Sequence, residues 1–168
     1  MRKVLLASLV ICMLALLSTL SMSVHATQPT TASGIWTYTP TIILPSVRLA
    51  DGNMFFEATS EDVWTGTFEG HSHCVERVVI HPSGSWCAKG LCTFEYCTVD
   101  GESGTLVINF MGTKAAETGL WSGQWVILSG TGDLANLHGQ GTWSGLGAPA
   151  PGEEGSVDYS GQIHFDPA

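Results

Sequence analysis

The chain has 168 residues, six basic against fifteen acidic, and a formal net charge of −9 with histidine neutral. A surface this acidic repels phosphate backbones and anionic bilayers, which argues against nucleic-acid binding and membrane-surface binding. Five cysteines, twenty glycines and six tryptophans point to short strands around an aromatic core.

Arg2 and Lys3, the apolar run from Val4 to Leu20 and the small-residue exit Val24-His25-Ala26 have the three-part pattern of an export signal. Cleavage after Ala26 is expected, with retention as a membrane anchor the weaker alternative. Residues 1–26 are therefore read as signal peptide, 27–33 as a flexible Thr/Pro/Ala leader, and 34–168 as a single domain. No second long apolar run follows, so no membrane contact is expected after cleavage, and the location is secreted or extracytoplasmic.

From Gly34 onward, β-like runs alternate with turn residues and no long helix is predicted. Gly34–Thr39 reads as a strand, Ile42–Leu49 as an irregular edge broken by Pro45, and Asp51-Gly52-Asn53 as a turn before Met54–Thr59. Val63–His73 alternates, with Trp64, Gly66, Phe68 and Gly70 on one face and Val63, Thr65, Thr67 and Glu69 on the other. Cys74–His81, a turn at Pro82–Gly84, Ser85–Val99, the turn Asp100–Gly104, Thr105–Gly112 and Leu120–Ser129 follow. Gly145–Gly155, with Pro149 and Pro151, reads as a solvated loop. Ser156–Phe165 alternates cleanly, with Val157, Tyr159, Gly161, Ile163 and Phe165 together. Eight or nine strands without helices favour a closed barrel or a sandwich, since closure removes exposed edges.

Without Cys12, which lies in the signal, Cys74, Cys87, Cys92 and Cys97 remain, and four cysteines in an exported chain imply disulfides. A hairpin about Pro82–Gly84 would bring Cys74 to Cys92 and leave Cys87 and Cys97 too far apart to bridge. A tight loop at Ala88–Leu91 would instead give Cys87–Cys92 and Cys74–Cys97, the favoured pairing because it uses all four. A zinc site is the weaker rival, because no paired Cys-x-x-Cys knuckles occur.

The most distinctive segment is Ser129-Gly130-Thr131-Gly132-Asp133-Leu134-Ala135-Asn136-Leu137-His138-Gly139-Gln140-Gly141-Thr142. It reads as a strand end and a glycine turn, with Asp133 capping one helical turn that sends Leu134 and Leu137 into a barrel end. It resembles the Gly-x-Gly-x-apolar-x-x-apolar-x-Gly signature of barrels related to allene oxide cyclases and dirigent proteins, and is most similar to a bacterial family of unknown function placed among them. Phe68-Glu69-Gly70, the Asp100–Thr105 turn, Gly119–Ile127 and Tyr159–Phe165 fall in the order such proteins show. The resemblance implies one small antiparallel, allene oxide cyclase-like β-barrel of about eight strands with an apolar interior. It implies no activity, because the cyclase cavity residues do not map onto this chain. The chain also departs from the pattern at Cys92, near which those proteins commonly carry an acidic residue.

His71 and His73 share one face of a strand with Glu69, the spacing of some metal sites, but two polar residues near a barrel rim are the better reading and no metal is expected. The glycine segment lacks Gly-Lys-Ser/Thr and a following helix, which rules out a phosphate loop. No catalytic residue can be named and no cofactor is expected. The favoured function is a non-enzymatic barrel enclosing a small apolar or aromatic molecule, with Trp64, Phe68, Trp121 and Trp125 as wall and Glu69 or His71 as polar handle. The alternatives are an isomerase or cyclase acting on such a ligand, and a rigid secreted interaction module that could form homo-oligomers.

Overall fold

A computed structural model describes residues 28–167; the expected signal peptide and its cleavage site lie outside them. Nine strands form one antiparallel sheet: β1 (Thr30–Ile42), β2 (Arg48–Ala50), β3 (Asn53–Gly66), β4 (Phe68–Ile80), β5 (Trp86–Val99), β6 (Glu102–Lys114), β7 (Trp121–Gly130), β8 (Leu137–Gly145) and β9 (Gly155–Phe165). Each of β3 to β9 pairs with the next, and β1 pairs with both β9 and β3, closing an eight-stranded barrel; the short β2 hangs on the edge of β3. Among the described residues helix is confined to two single 3-10 turns, at Leu44–Ser46 and Gly132–Leu134.

The alternation expected from sequence fixes the inside. Phe56, Ala58, Ser60, Asp62 and Trp64 of β3 are buried, as are Phe68, Ser72, Cys74 and Val78 of β4 and Val157, Tyr159 and Ile163 of β9. Paired glycines make space for the largest rings. A Cβ at Gly112 or Gly123, which are register partners, would collide with Trp143. A Cβ at Gly141 or Gly161, also partners, would collide with Trp125.

Four local expectations change. The chain from Thr30 to Ser33 is strand, because it pairs with Ser160–Ile163 of β9. Val63–His73 is two strands, reversed at Gly66 (φ 100°) and Thr67, whose amide donates to Ser33 O at 2.9 Å. Ala88–Leu91 is continuous strand rather than a loop, since β4 and β5 stay paired from Ile80–Trp86 to Phe68–Val99. Asp133 does not cap the turn after β7: Thr131 occupies the cap position and no side chain closes it. That turn does carry Leu134 and Leu137 into the barrel, both buried.

The register decides the disulfides. Cys74 and Cys92 are direct partners across β4 and β5, with Cα atoms 4.1 Å apart, and they are bonded inside the barrel. The favoured pairing Cys87–Cys92 with Cys74–Cys97 is therefore incorrect. Cys87, half-buried, and Cys97, buried, are free thiols on one extended strand. The hairpin about Pro82–Gly84 dictates this outcome.

Candidate functional site

The two ends of the barrel differ. At the end of the β3–β4 and β5–β6 turns the interior is solid. Trp64 packs against Phe68, Phe94 and Tyr159 with ring centroids 5.3–6.1 Å apart, and Trp125 meets Phe68 at 5.4 Å. Tyr159 locks this end: its hydroxyl donates to Thr65 O at 3.1 Å and accepts from the Phe68 amide at 2.9 Å. Burial pushes that phenol up to about 12.

The other end is hollow. A cavity of about 130 Å³ lies among Trp36, Phe56, Trp86, Phe110, Trp121 and Trp143. Its ring walls are mutually braced, Trp36 to Trp143 at 5.7 Å, Trp121 to Trp143 at 6.0 Å and Trp86 to Trp121 at 6.3 Å. Ala58 and Ala88 leave the room that larger inward side chains would fill. Ala148–Pro151, in the loop expected to be merely solvated, line the mouth, and Gly152 N donates to Pro40 O at 2.8 Å to hold the loop across β1.

Polar groups enter this apolar space from three strands. Tyr38 comes from β1, Ser60 from β3 and Glu76 from β4. Burial raises the Glu76 carboxyl to about 7, and the nearby Asp62 charge pushes the same way. Burial likewise raises Tyr38 to about 12. Asp62, 1 % exposed, sits one inward position beyond Ser60. Its Oδ2 accepts from Trp36 Nε1 at 2.7 Å, while its Oδ1 has no partner. Burial raises Asp62 to about 6, against the opposing pull of Ser60 and the Trp36 indole. Neither Asp62 nor Glu76 forms an ion pair with a basic side chain among the described residues.

Cys74 Sγ lies 2.7 Å from Asp62 Oδ2. In the disulfide that sulfur carries no proton, so the contact is not a hydrogen bond; a reduced thiol would donate there. Asp62, Cys74 and Cys92 are the one group of three metal-type ligands that converge among the described residues. With both sulfurs bonded to each other they offer no thiolate to a metal.

The expected site residues divide accordingly. Trp121 lines the cavity, whereas Trp64, Phe68 and Trp125 belong to the solid end. Glu69 and His71 do not reach the interior: both are exposed on the outer wall, because they have the opposite parity to Phe68. His73 is also outside, 2.7 Å from Glu61 on the neighbouring strand, so the histidines and Glu69 assemble no metal site. Sequence reasoning missed Tyr38, Glu76, Trp36 and Trp86. The available signal was parity: counting inward from Trp64 and Phe68 puts Asp62 and Glu76 on the core face, where a carboxylate is anomalous.

A wider depression of about 1090 Å³ on the outer wall is bordered by outward side chains such as Arg77, Lys89 and Met111 and opens broadly to solvent. The narrower interior cavity, with its converging polar groups, is the better candidate.

Residues 43–147 match the model of a family described as protein of unknown function, DUF3224. The chain belongs to the DUF3224 family. A crystal structure of a DUF3224 protein of unknown function from Shewanella oneidensis MR-1 is similar over 84 % of this chain and all of that one, with a TM-score of 0.63 at 15 % identity. That likeness extends to the fold. No curated protein matches this DUF3224 chain. The family match meets the expectation of a bacterial family of unknown function; neither match extends to allene oxide cyclase-like barrels.

Proposed function

We propose that this DUF3224 barrel is an exported binding protein that encloses one small, ring-sized apolar or aromatic molecule in the hollow end of its interior. The observation that carries this reading is the cavity walled by Trp36, Trp86, Trp121 and Trp143, with Tyr38, Ser60 and Glu76 as its few polar points. Binding sites are typically apolar hollows with a small number of placed polar groups. The volume sets the ligand. About 130 Å³ compares with the roughly 150 Å³ engineered cavity that takes benzene, and falls short of the roughly 300 Å³ at which drug-sized pockets begin. A fatty-acid or terpenoid chain would not be enclosed, which weighs against a lipid cyclase.

Export is supported by the Arg2–Ala26 signal pattern and by the buried Cys74–Cys92 disulfide, a bond at home in oxidising compartments. Among the described residues no helix is long and apolar enough to cross a membrane.

The test is calorimetric titration with benzene and indole, on the chain as it stands and on Ala88→Leu, which puts a larger apolar side chain into the cavity. Saturable binding lost in the variant supports the reading. Equal behaviour of the two proteins, or no binding in either, contradicts it.

A second reading has one observation in its favour. Glu76, held near 7 in an apolar space, has the proton affinity of a general acid–base at neutral pH. Turnover of a ring-sized ketone to its enol, measured by deuterium exchange and lost in Glu76→Gln with binding retained, would establish it; no exchange would remove it.

A further inference from the structure

The cavity wall carries a carboxyl, Glu76, with which no basic side chain among the described residues forms an ion pair. Glu76 is half-buried there, and Asp62 behind it, fully buried, has an oxygen with no partner. Buried carboxyls without a counter-charge are costly and are normally paired. The walls around them are indole and phenyl rings, whose faces attract cations, and most strongly those of tryptophan. The chain already displays this attraction at the rim, where Lys114 Nζ sits 4.9 Å above the Trp86 ring. That ammonium forms no ion pair with Glu76 or Asp62.

We propose that the ligand is a small organic cation, an alkylated ammonium no larger than a single ring, held among Trp36, Trp86, Trp121 and Trp143 with Glu76 as its counter-charge. The proposal rests on the reading that the cavity binds a ligand, and names its chemical class. A neutral ring would fill the same volume but would leave Glu76 unpaired. An ammonium pairs with Glu76 and gains the ring faces. An anion would meet Glu76 and Asp62 as like charges, with Lys114 at the rim alone to oppose them.

Ionisation of the cavity then governs affinity. The titratable groups that face it are Tyr38 from β1, Glu76 from β4 with Asp62 of β3 behind, and Lys114 from β6. Trp86 and Ala88 on β5, Trp121 on β7, Trp143 on β8 and the Ala148–Pro151 loop bring none. Tyr38, raised to about 12 by burial, stays neutral across the working range, so the change between acid and alkali comes from the two carboxyls.

The experiment compares two probes of the same shape, choline and its uncharged isostere 3,3-dimethylbutan-1-ol, by calorimetry on the purified chain at pH 5 and pH 8. At pH 8 choline is expected to bind at least tenfold more tightly than the alcohol, and at pH 5 that preference should shrink severalfold. Glu76→Gln should remove most of the preference while the alcohol still binds. Lys114→Gln, at the rim and independent of the core, should tighten choline by removing a competing ammonium. If the alcohol binds as well as choline at pH 8, or the preference ignores pH, the cation assignment fails while the cavity reading stands. If neither probe binds, yet benzene binds and is lost in Ala88→Leu, the cation assignment again fails alone. If nothing binds, both fail together.

Discussion

Trp36 and Asp62 are joined inside the barrel by a 2.7 Å hydrogen bond from indole Nε1 to Oδ2, and the same indole stacks on Trp64 at 4.7 Å with planes 10° apart. Trp36 is thus the partition between the solid and hollow halves, and the carboxyl that fixes it is buried with one oxygen unsatisfied. That arrangement has a consequence for pH. Asp62 and Glu76 are raised to about 6 and about 7 from 3.8 and 4.5. The folded chain therefore keeps protons that the unfolded chain has released, and stability falls as pH rises through that interval. The cost is absent below the unfolded values and complete above the folded ones. For each carboxyl it is on the order of 3 kcal/mol, and the two are close enough not to add. Thermal unfolding followed from pH 4 to pH 8 should show this decline. Glu76→Gln should be more stable than the parent at pH 8 and nearly equal at pH 4. A variant less stable at pH 8 would mean that the carboxylate is paired.

The disulfide makes a separate prediction. Cys74 and Cys92 close a segment with a sequence separation of 18, for which loop entropy gives about 3 kcal/mol of stabilisation. Cys74→Ala with Cys92→Ala should lose an amount of that order in denaturant titrations. Unreduced chain treated with a maleimide under native conditions should be labelled at half-buried Cys87. Cys97, buried and with its thiol pushed up to about 12, should react only on unfolding. Labelling of Cys74 or Cys92 without reductant would contradict the pairing.

The glycine partners are seats for rings, and they can be filled. Gly161→Ala would press a methyl against Trp125 and the Gln140 carbonyl, and Gly123→Ala would press one against Trp143 and the Met111 carbonyl. Each should cost about 1–3 kcal/mol by overpacking. The two differ in function: Gly161→Ala disturbs the solid end and should leave ligand affinity nearly intact, whereas Gly123→Ala displaces a cavity wall and should weaken binding. Equal effects on binding would argue against two independent halves.

Much of this architecture is written in period-two patterns. β9 is read correctly because Val157, Tyr159, Gly161, Ile163 and Phe165 alternate with polar residues, and the Asp51-Gly52 and Asp100-Gly101 reversals carry their own turn chemistry. The β3–β4 reversal was hidden because Gly66-Thr67 is short and keeps Trp64 and Phe68 on the same face, so the alternation runs through it as if unbroken. The cavity was hidden for a different reason. Strand pattern tells which residues face inward but not how their volumes add across eight strands, and only the closed barrel shows Ala58 and Ala88 opposite the rings they fail to fill. The disulfide follows from register, which depends on the Pro82–Gly84 turn; reading Ala88–Leu91 as a loop displaced it.

The central claim is that the barrel has one hollow and one solid end, and its six tryptophans divide between them. Trp36, Trp86, Trp121 and Trp143 border the cavity, while Trp64 and Trp125 are packed in the solid end. The most direct measurement is the indole N–H region of a ¹⁵N NMR spectrum, with each tryptophan assigned by substitution, titrated with choline and with benzene. The account predicts that the four cavity indoles shift saturably with at least one of these probes while Trp64 and Trp125 hold their positions. Shifts confined to Trp64 and Trp125, or no saturable shift from any of the six, would contradict it.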